Sequence, residues 1–406
     1  MPANPKAAAI ILAAGLSSRL GQFKPLLELA GRPLLARAVE MFRAAGVRDL
    51  QVVTGHRGEE VAAAAAGLGI RAVANPAPER GMLSSVQTGL AALPPPPEGP
   101  VAFFLLPVDI PLVRPATVRA LWDAWQADAA ASPCGCLAPA FGGESGHPPL
   151  IAARLREAIL GWDGPRGLEG CLAARGAPPR LVEVADQGIL WDMDTPADLA
   201  RLRDLAPGRA LPSRVEGLAL LTRVRQAPAC LVDHGRAAAL VALALARAVN
   251  PGLAAAGRPP LDLGLVAGAA LLHDLARGLP DHARTGAEML TRAGFAALAP
   301  LVAAHMDLGP GERGPLDETR LIYLADKLVE GCQGVGLAEK FQKKSAKLAG
   351  DPAALAALAR RREQAFRVAE QVEAWAGREP AVITRGVLGA APPEGLDDLL
   401  AEAWPS

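Results

Sequence analysis

The pattern of apolar and polar positions divides the chain into two halves. In roughly the first two hundred residues, short apolar runs rich in β-branched residues alternate with segments whose apolar positions recur every three or four residues. The runs predict buried strands and the periodic segments predict amphipathic helices. The predicted strands are 8–12, 50–54, 70–74 and 101–106, and the predicted helices are 33–45, 59–66 and 114–127. This alternation predicts an α/β domain, with a mostly parallel sheet and helices on both faces.

The second half has almost no strand-like runs. Pro207, Gly208, Pro212 and Ser213 indicate a linker, which places a domain boundary at about residue 210. Helix formers and helical periodicity predict helices over 235–249, 263–275, 283–293, 319–331 and 352–375. We therefore expect an α/β domain over residues 1–210 and an all-α domain over 211–406. The charged helices after residue 337 are interpreted as a solvated packing surface without chemistry.

Composition limits the partners. Lys plus Arg and Asp plus Glu both number 42, so no overall field attracts nucleic acid or an anionic membrane, and an anionic substrate needs a local site. The early apolar segment is short and no other run spans a bilayer, so no membrane partner is expected. The five cysteines are odd in number and lack CxxC pairs, which favours the reducing cytoplasm. Cys134 and Cys136 leave a redox pair open as a minor alternative.

A loop rich in small residues follows the first predicted strand. It contains Leu12, Ala13, Ala14 and Gly15, and the basic residues Arg19 and Lys24 come soon after. Small residues allow main-chain N–H groups to approach phosphates, and a nearby helix N-terminus would add a favourable dipole. Arginine can bind two phosphate oxygens, and lysine supplies a point charge. Alone, such a loop is also compatible with an ordinary turn bearing two solvated cations.

Carboxylates occur where they could complete a site with this loop. Asp109 follows the buried run 101–106, at the carboxyl end of a predicted strand, where ligands bind in open α/β sheets. Asp192 and Asp194 precede a helix whose first turn should contain Asp198. Carboxylates suit Mg²⁺, although Asp109 could instead cap a helix.

These motifs, read together, resemble a known family. The segments LAAGLSSRLGQFK, GMLSS, PVDIP, GHP and DMDTPADL are similar, in the same order, to the MobA-like nucleotidyltransferases, especially the molybdenum cofactor cytidylyltransferases. The resemblance covers about residues 7–205. It implies a Rossmann-like fold and Mg²⁺-dependent transfer of a nucleoside monophosphate from an NTP to a phosphorylated acceptor, with release of pyrophosphate. The Ala-Ala-Gly form resembles the members that use CTP.

The resemblance also implies roles for individual residues. The nucleotide would be bound by the loop and by two serines, and the implied set is Leu12, Ala13, Ala14, Gly15, Arg19, Lys24, Ser84 and Ser85. Lys24, Arg19 and Asp109 would be catalytic, and Asp109 and Asp194 would bind Mg²⁺. Leu20 replaces the family's usual methionine, which is a change of similar volume. His147 could contact the acceptor or could be a structural turn residue, and a molybdoenzyme or maturation factor is an implied partner.

A second cluster of metal-binding residue types lies in the helical half. Four of the six histidines fall between residues 234 and 305, and a later aspartate interrupts the apolar helix around residue 326. Imidazole and carboxylate together suit Fe, Mn, Zn or Co, and a helical bundle can bring them together. A charged aspartate in an apolar helix is costly unless it is paired or bound to metal.

The order H…HD…D, with the segments LLHDLARG and LADKLVEG, resembles the HD superfamily of metal-dependent phosphohydrolases over about residues 230–335. The resemblance implies one metal held by His234, His273, Asp274 and Asp326. It implies a second metal, bridged by Asp274, on His282 and His305. The pair would be iron or manganese.

Three interpretations remain open from the sequence. The first is a bifunctional enzyme that makes a nucleotide-linked cofactor such as a CDP-molybdopterin and hydrolyses a phosphate ester or nucleotide. The second changes the acceptor to a sugar or alcohol phosphate. The third makes the HD half a regulatory nucleotide-binding module.

Overall fold

The computed structural model describes residues 7–16, 19–95, 97–129, 135–309, 314–389 and 395–404. The chain forms two compact units, Met1–Arg209 and Ala210–Ser406. The boundary predicted from the linker composition falls beside this junction. None of the four cysteines within the described ranges forms a disulfide, and Cys134 lies outside those ranges.

The first unit is built on a mixed sheet with the order β10-β7-β9-β6-β1-β4-β5, with β8 paired to β7. Its pairings are parallel except those of β9 with β6 and β7 and that of β8 with β7. A separate hairpin is formed by β2 and β3. The strands are β1 Ala7–Ala13, β2 Glu28–Leu29, β3 Arg32–Pro33, β4 Asp49–Thr54, β5 Arg71–Ala74, β6 Ala102–Pro107, β7 Cys136–Phe141, β8 Glu144–Ser145, β9 Leu150–Ala152 and β10 Arg180–Glu183.

Helices cover both faces of this sheet. Alternate residues of β1 therefore pack in two different apolar clusters. Ala9 and Ile11 pack in one apolar cluster, whereas Ala8 and Ile10 pack in the other. The first cluster includes side chains of α1, α2, α4 and α7, and the second includes side chains of α3, α5 and α6. These helices are α1 Leu34–Ala44, α2 Gly58–Gly67, α3 Met82–Ala92, α4 Pro115–Ala129, α5 Arg156–Leu160, α6 Gly167–Ala174 and α7 Pro196–Leu205. The predicted fold class is confirmed.

The second unit is mostly helical. A short hairpin of Val329–Glu330 (β11) and Gln333–Gly334 (β12) accompanies its helices. The helices are α8 Arg214–Ala219, α9 Ala229–Ala255, α10 Leu263–Leu272, α11 His282–Arg292, α12 Ala299–Ala303, α13 Glu318–Lys327, α14 Leu337–Lys347, α15 Pro352–Ala376, α16 Pro380–Leu388 and α17 Leu396–Ala403. The helix predicted over 319–331 therefore ends early, because the chain turns into β11.

Helix α9 is the central element of the second unit. It packs against α10, α13, α15, α16 and α17. By length and composition alone it could cross a membrane, but the most apolar part of it is mostly buried among these helices. Its apolar character is that of a core helix. Where α9 meets α10 the backbones are very close, because a Cβ at Gly235 would lie 2.5 Å from the carbonyl oxygen of Leu271.

Candidate active sites

The first candidate site lies at the carboxyl edge of the sheet. Strands β1 and β6 are parallel neighbours, with Leu12 opposite Pro107, so the loops that follow them leave the sheet side by side. The amide of Val108 donates a hydrogen bond of 3.0 Å to the carbonyl oxygen of Leu12. A cleft of about 270 Å³ opens here, lined by Leu12, Ala13, Ala14, Gly15, Lys24, Pro25, Pro78, Gly81, Met82, Ser85, Pro107, Val108 and Asp109.

Two carboxylates converge on one ammonium group in this cleft. Lys24 Nζ lies 2.9 Å from Asp109 Oδ2 and 2.6 Å from Asp194 Oδ1. The amide of Met193 donates to the carbonyl oxygen of Asp109 at 2.9 Å, which brings the segment containing Asp194 to the end of β6. Arg19 Nη1 lies 3.1 Å from Asp194 Oδ2, and its side chain is 78% exposed. Residues that are up to 175 positions apart in the chain thus form one charged centre.

The charges in this centre reinforce one another. Burial alone would lower the pKa of Lys24, but hydrogen bonds and charge interactions with Asp109 and Asp194 raise it overall. The hydrogen bond from Lys24 lowers the pKa of Asp194, and Arg19 acts in the same direction. Lys24 is therefore a fixed cation and Asp194 a fixed anion at neutral pH.

The two carboxylates also have the chemistry of a Mg²⁺ site. Their oxygens both lie within hydrogen-bonding distance of one cation, Lys24 Nζ, so they approach the same point in the cleft. Magnesium is typically held by one or two carboxylates together with substrate phosphates. Asp109 and Asp194 fit that pattern.

The helix that lies nearest to the loop in the chain, α1, begins only after a 3₁₀ turn at Lys24–Leu26 and the β2–β3 hairpin. The helix end that lines the cleft is that of α3, through Gly81 and Met82. Its first amides are positioned to face an anion.

The two serines at the start of α3 have different surroundings. Asn75 Nδ2 donates to Ser84 Oγ at 2.9 Å and to Ser85 Oγ at 3.0 Å. Ser84 Oγ also lies 3.0 Å from the carbonyl oxygen of Ala77 and 2.9 Å from that of Gly81. Ser85 lines the cleft, whereas Ser84 fastens the loop that precedes α3.

A second pocket of about 400 Å³ adjoins the cleft and shares Leu12, Met82 and Pro107 with it. Its lining is largely apolar, with Arg80, His147 and Arg166 as its basic members. Burial lowers the pKa of His147, so its imidazole is neutral at physiological pH. Asp198 lies in the first turn of α7, as predicted, and it forms a capping box with Thr195 there.

The second candidate site is formed by the helical unit. His234 lies on α9, His273 and Asp274 follow the end of α10, and His282 begins α11. His305 follows α12, and Asp326 lies on α13. All six side chains meet in two groups. His234, His273 and Asp326 form one triad, and Asp274, His282 and His305 form the other, with the ligand atoms of each triad within 4.8 Å of one another.

Asp274 lies between the two triads. Its Oδ1 is 3.4 Å from His282 Nε2 and 3.5 Å from His305 Nε2. Its Oδ2 is 3.6 Å from His273 Nε2 and 3.9 Å from His234 Nε2. Asp326 Oδ1 closes the first triad at 3.4 Å from His234 Nε2 and 3.6 Å from His273 Nε2. Each oxygen of Asp274 thus faces a different triad.

The hydrogen bonds of the imidazoles leave one nitrogen of each ring for another partner. The Nδ1 atoms of His234, His273 and His305 lie 2.8, 2.8 and 2.6 Å from backbone carbonyl oxygens, so we assign their protons to Nδ1. Within the two triads, five buried atoms have no hydrogen-bond partner in the described part of the chain, namely Nε2 of His234, His273, His282 and His305, and Asp274 Oδ1.

A metal pair fits this arrangement. Buried polar atoms without partners are costly, and here they all face the two triads. Imidazole and carboxylate ligands suit Fe, Mn, Zn or Co. Burial alone would raise the pKa of Asp326, but the charge of Lys327 and the adjacent imidazoles of His234 and His273 hold it well below its ordinary value. Arg277 and the surrounding histidines likewise lower the pKa of Asp274 against the effect of burial.

The metal-binding triads line a cleft of about 750 Å³ whose cations were missed by sequence reasoning. Lys340, Lys344 and Arg361 lie on α14 and α15, in the stretch that was interpreted as a solvated surface without chemistry. Lys340 is buried, so the interpretation as a solvated residue is wrong for Lys340. A charged helix has the same sequence pattern whether its cations face solvent or a cleft. The only usable signal was the spacing of four residues between Lys340 and Lys344, which places both on one face of α14.

Two family models match parts of this chain. Residues 9–179 match the model of the MobA-like NTP transferase domain, and residues 231–330 match that of the HD domain.

Relatives of known name share short segments with this chain. The bifunctional IPC transferase and DIPP synthase of Rubrobacter xylanophilus is 47% identical over 92 residues, which are 21% of this chain and 21% of that protein. The CMP-5'-(3-aminopropyl)phosphonate synthase of Streptomyces rubellomurinus is 43% identical over 79 residues, which are 17% of this chain and 13% of that protein. Both matches span about a fifth or less of the relatives' length.

A solved structure, that of Rv0371c from Mycobacterium tuberculosis H37Rv, is 26% identical, with a TM-score of 0.42. It covers 50% of this chain and 99% of the other. On the two family matches, this chain joins a MobA-like NTP transferase domain to an HD domain.

Proposed function

We propose that the first unit transfers CMP from CTP to a phosphorylated small molecule and releases pyrophosphate, in a Mg²⁺-dependent reaction. The observation that carries this proposal is the convergence of Lys24, Asp109 and Asp194 in a cleft lined by the small-residue loop. CTP as donor is supported by the Ala13-Ala14-Gly15 form of that loop and by the name of the relative from Streptomyces rubellomurinus, which is a CMP-conjugate synthase.

The residues of the cleft suit this reaction. An oxygen of the acceptor phosphate forms a bond to the α-phosphorus of CTP, and the bond from that phosphorus to the β-phosphate breaks, so pyrophosphate leaves. The acceptor oxygen is already anionic, and no strong base is required. Lys24 and Arg19 would bind oxygens of the triphosphate, and the first amides of α3 would face its negative charge. Mg²⁺ on Asp109 and Asp194 would neutralise further charge there.

The adjoining pocket is the proposed acceptor site. Its apolar lining would enclose the body of the acceptor, and Arg80 would attract its phosphate, whereas Arg166 is paired with Glu169 of the same lining. Molybdopterin is the acceptor we propose first, because of the family resemblance. A sugar or alcohol phosphate is the second candidate, since neither the lining residues nor the pocket volume selects a pterin.

The second unit is proposed to hydrolyse a phosphate ester or a nucleotide. The support is the complete set of six ligand side chains and the five buried atoms that lack partners. Iron or manganese bound there would supply Lewis acidity toward a phosphoryl group. The chain's own contribution is to hold four imidazoles and two ionised carboxylates in place. The alternative is a regulatory module that binds a nucleotide without turning it over.

The first proposal is tested by the Lys24→Ala variant. Purified protein is supplied in turn with CTP, GTP, ATP or UTP, with Mg²⁺ and with molybdopterin or a panel of sugar and alcohol phosphates, and pyrophosphate release is measured. We expect CTP to be preferred and Lys24→Ala to lower kcat by about 10²–10³-fold, as loss of a charge-stabilising donor does. Arg32→Ala, which removes an exposed cation of the same unit, is the control. Near-normal turnover by Lys24→Ala would overturn the assignment.

A further inference from the structure

The cleft of the second unit is larger and more cationic than a metal pair and one phosphate require. Its volume of about 750 Å³ is in the range of pockets that enclose whole organic ligands. Five of its lining residues are cations, namely Arg277, Lys327, Lys340, Lys344 and Arg361, against the carboxylates Asp274, Asp326 and Glu330. Two of those three carboxylates belong to the metal triads.

Helix α14 lies directly against a metal-binding residue. Lys340 is buried, and its Nζ donates to the carbonyl oxygens of Asp326 at 2.7 Å and Val329 at 2.5 Å. Lys344 is four residues further along, so it occupies the same face of α14, one turn away. The face of α14 that touches the metal-binding segment therefore also carries Lys344 along the cleft.

Lys344 and its neighbour Lys343 differ in their ion pairing. Lys343 Nζ lies 2.7 Å from Glu339 and 3.6 Å from Glu330, and it does not line the cleft. Lys344 makes no hydrogen bond or ion pair with any residue in the described ranges. Lys344 remains exposed to solvent. Desolvation at the cleft lowers its pKa, the charge of Asp326 raises it, and the charges of Lys327, Arg277 and Arg361 lower it.

Helix α15 contributes a second cation that is already held in position. Arg361 Nε and Nη2 donate to the two carboxylate oxygens of Asp307 at 2.9 and 2.7 Å. This pair fixes the guanidinium group, which also lines the cleft. A phosphate at the metal triads would have its charge balanced by the metals, so Lys344 and Arg361 are left to bind a second anionic group.

We propose that α14 and α15 recognise a diphosphate, with one phosphate at the metal triads and the other at Lys344 and Arg361. The substrate of the second unit is then a diphosphate, free or as part of a nucleotide, and not a simple phosphate monoester. This inference rests on the proposed hydrolytic function of the same cleft and names its substrate class. Residues 337–361, which supply these cations, lie beyond the region that matches the HD family.

The test measures binding of non-hydrolysable probes to the full-length, Mn²⁺-loaded protein by calorimetry. The Lys24→Ala background is used, so that the first cleft competes less for the probes. We expect methylenediphosphonate to bind at least about tenfold more tightly than methylphosphonate, which is a difference that one additional charged contact can supply. Lys344→Gln should weaken diphosphonate binding by about tenfold and change methylphosphonate binding by less than about twofold. Lys343→Gln should change neither.

Equal binding of the two probes, or equal losses in the Lys344→Gln and Lys343→Gln variants, would overturn the proposal. An α,β-methylene analogue of CDP separates the two sources of a diphosphate. Tighter binding than methylenediphosphonate supports a nucleotide, and equal binding supports free diphosphate. Hydrolysis of para-nitrophenyl phosphate by the same protein is measured separately. If the diphosphonate preference holds but no substrate is hydrolysed, only the hydrolytic function fails.

Discussion

The position of Asp274 between two histidine groups leads to a quantitative prediction about metal content. Each of its carboxylate oxygens faces a different triad, at 3.4–3.5 Å on one side and 3.6–3.9 Å on the other. Asparagine has nearly the same shape but only one oxygen. Asp274→Asn can therefore serve one triad at most, and it also removes the negative charge that a metal pair needs.

The expected metal counts follow from the two triads. The wild-type protein should hold two ions per chain, one for each triad. His282→Ala removes a ligand of one triad and should leave one ion, whereas Asp274→Asn weakens both and should leave less than one. His56→Ala, which removes an exposed histidine of the first unit, should keep the wild-type count.

The stability of the second unit should change in the same order. A metal present at about a hundred times its Kd stabilises the folded state by about 2.7 kcal/mol. For a unit of this size, that corresponds to about 5–10 °C in Tm. Adding Mn²⁺ or Fe²⁺ to the metal-free wild-type protein should raise the Tm of the second unit by at least this amount. The increase in Tm should be smaller in His282→Ala and smallest in Asp274→Asn.

Inductively coupled plasma mass spectrometry gives the metal count, and scanning calorimetry gives the two thermal transitions. Circular dichroism of each variant checks that its helices remain. The reasoning is refuted if Asp274→Asn retains two ions, or if Mn²⁺, Fe²⁺, Zn²⁺ and Co²⁺ all leave the transition of the second unit unchanged.

Two further variants test other parts of the structure. Burial lowers the pKa of His147 in the folded state, so the unfolded chain binds more protons below pH about 6.5 and stability falls as the pH drops through that value. His147→Asn should flatten this loss in a pH series of thermal unfolding, and an unchanged slope contradicts the assignment. Gly235→Ala should destabilise the second unit by about 1–3 kcal/mol through overpacking and should lower its metal content, because the new Cβ would meet α10 beside the histidines. Gly386→Ala, in open space within α16, should be neutral or stabilising, and equal effects of both substitutions would exclude close packing as the cause.

Much of the fold could be predicted from the sequence because its periodicities are strong. Buried parallel strands such as β1 and β6 are continuous apolar runs, and their carboxyl ends must share one edge of the sheet. The approach of Asp109 to the small-residue loop therefore follows from topology. The meeting with Asp194 does not, since the path of the chain between the two residues includes an antiparallel strand, β9, that periodicity alone did not reveal.

The cations that line the cleft of the second unit could not be predicted from the sequence, for a physical reason. Lys340, Lys344 and Arg361 occur in helices with many charged residues, and a lysine buried by donating to backbone carbonyls has the same sequence pattern as a solvated one. The sequence also did not show which helix N-terminus lies at the first cleft. Which helix N-terminus faces a phosphate depends on the packing of α3 across the sheet, and not on its distance along the chain from the loop.

The two centres differ in how their charges are compensated, and this difference has a consequence for folding. In the first cleft, Lys24 pairs with both Asp109 and Asp194 and Arg19 pairs with Asp194, so both carboxylates have cationic partners before any metal binds. In the second, Lys327 pairs with the outer oxygen of Asp326 and Arg277 pairs with Asp274 Oδ2, but the inward-facing imidazole nitrogens have no donors. Each buried acceptor of this kind costs about 1–3 kcal/mol when unsatisfied. Metal should therefore be a condition of stability for the helical unit and mainly a condition of catalysis for the α/β unit.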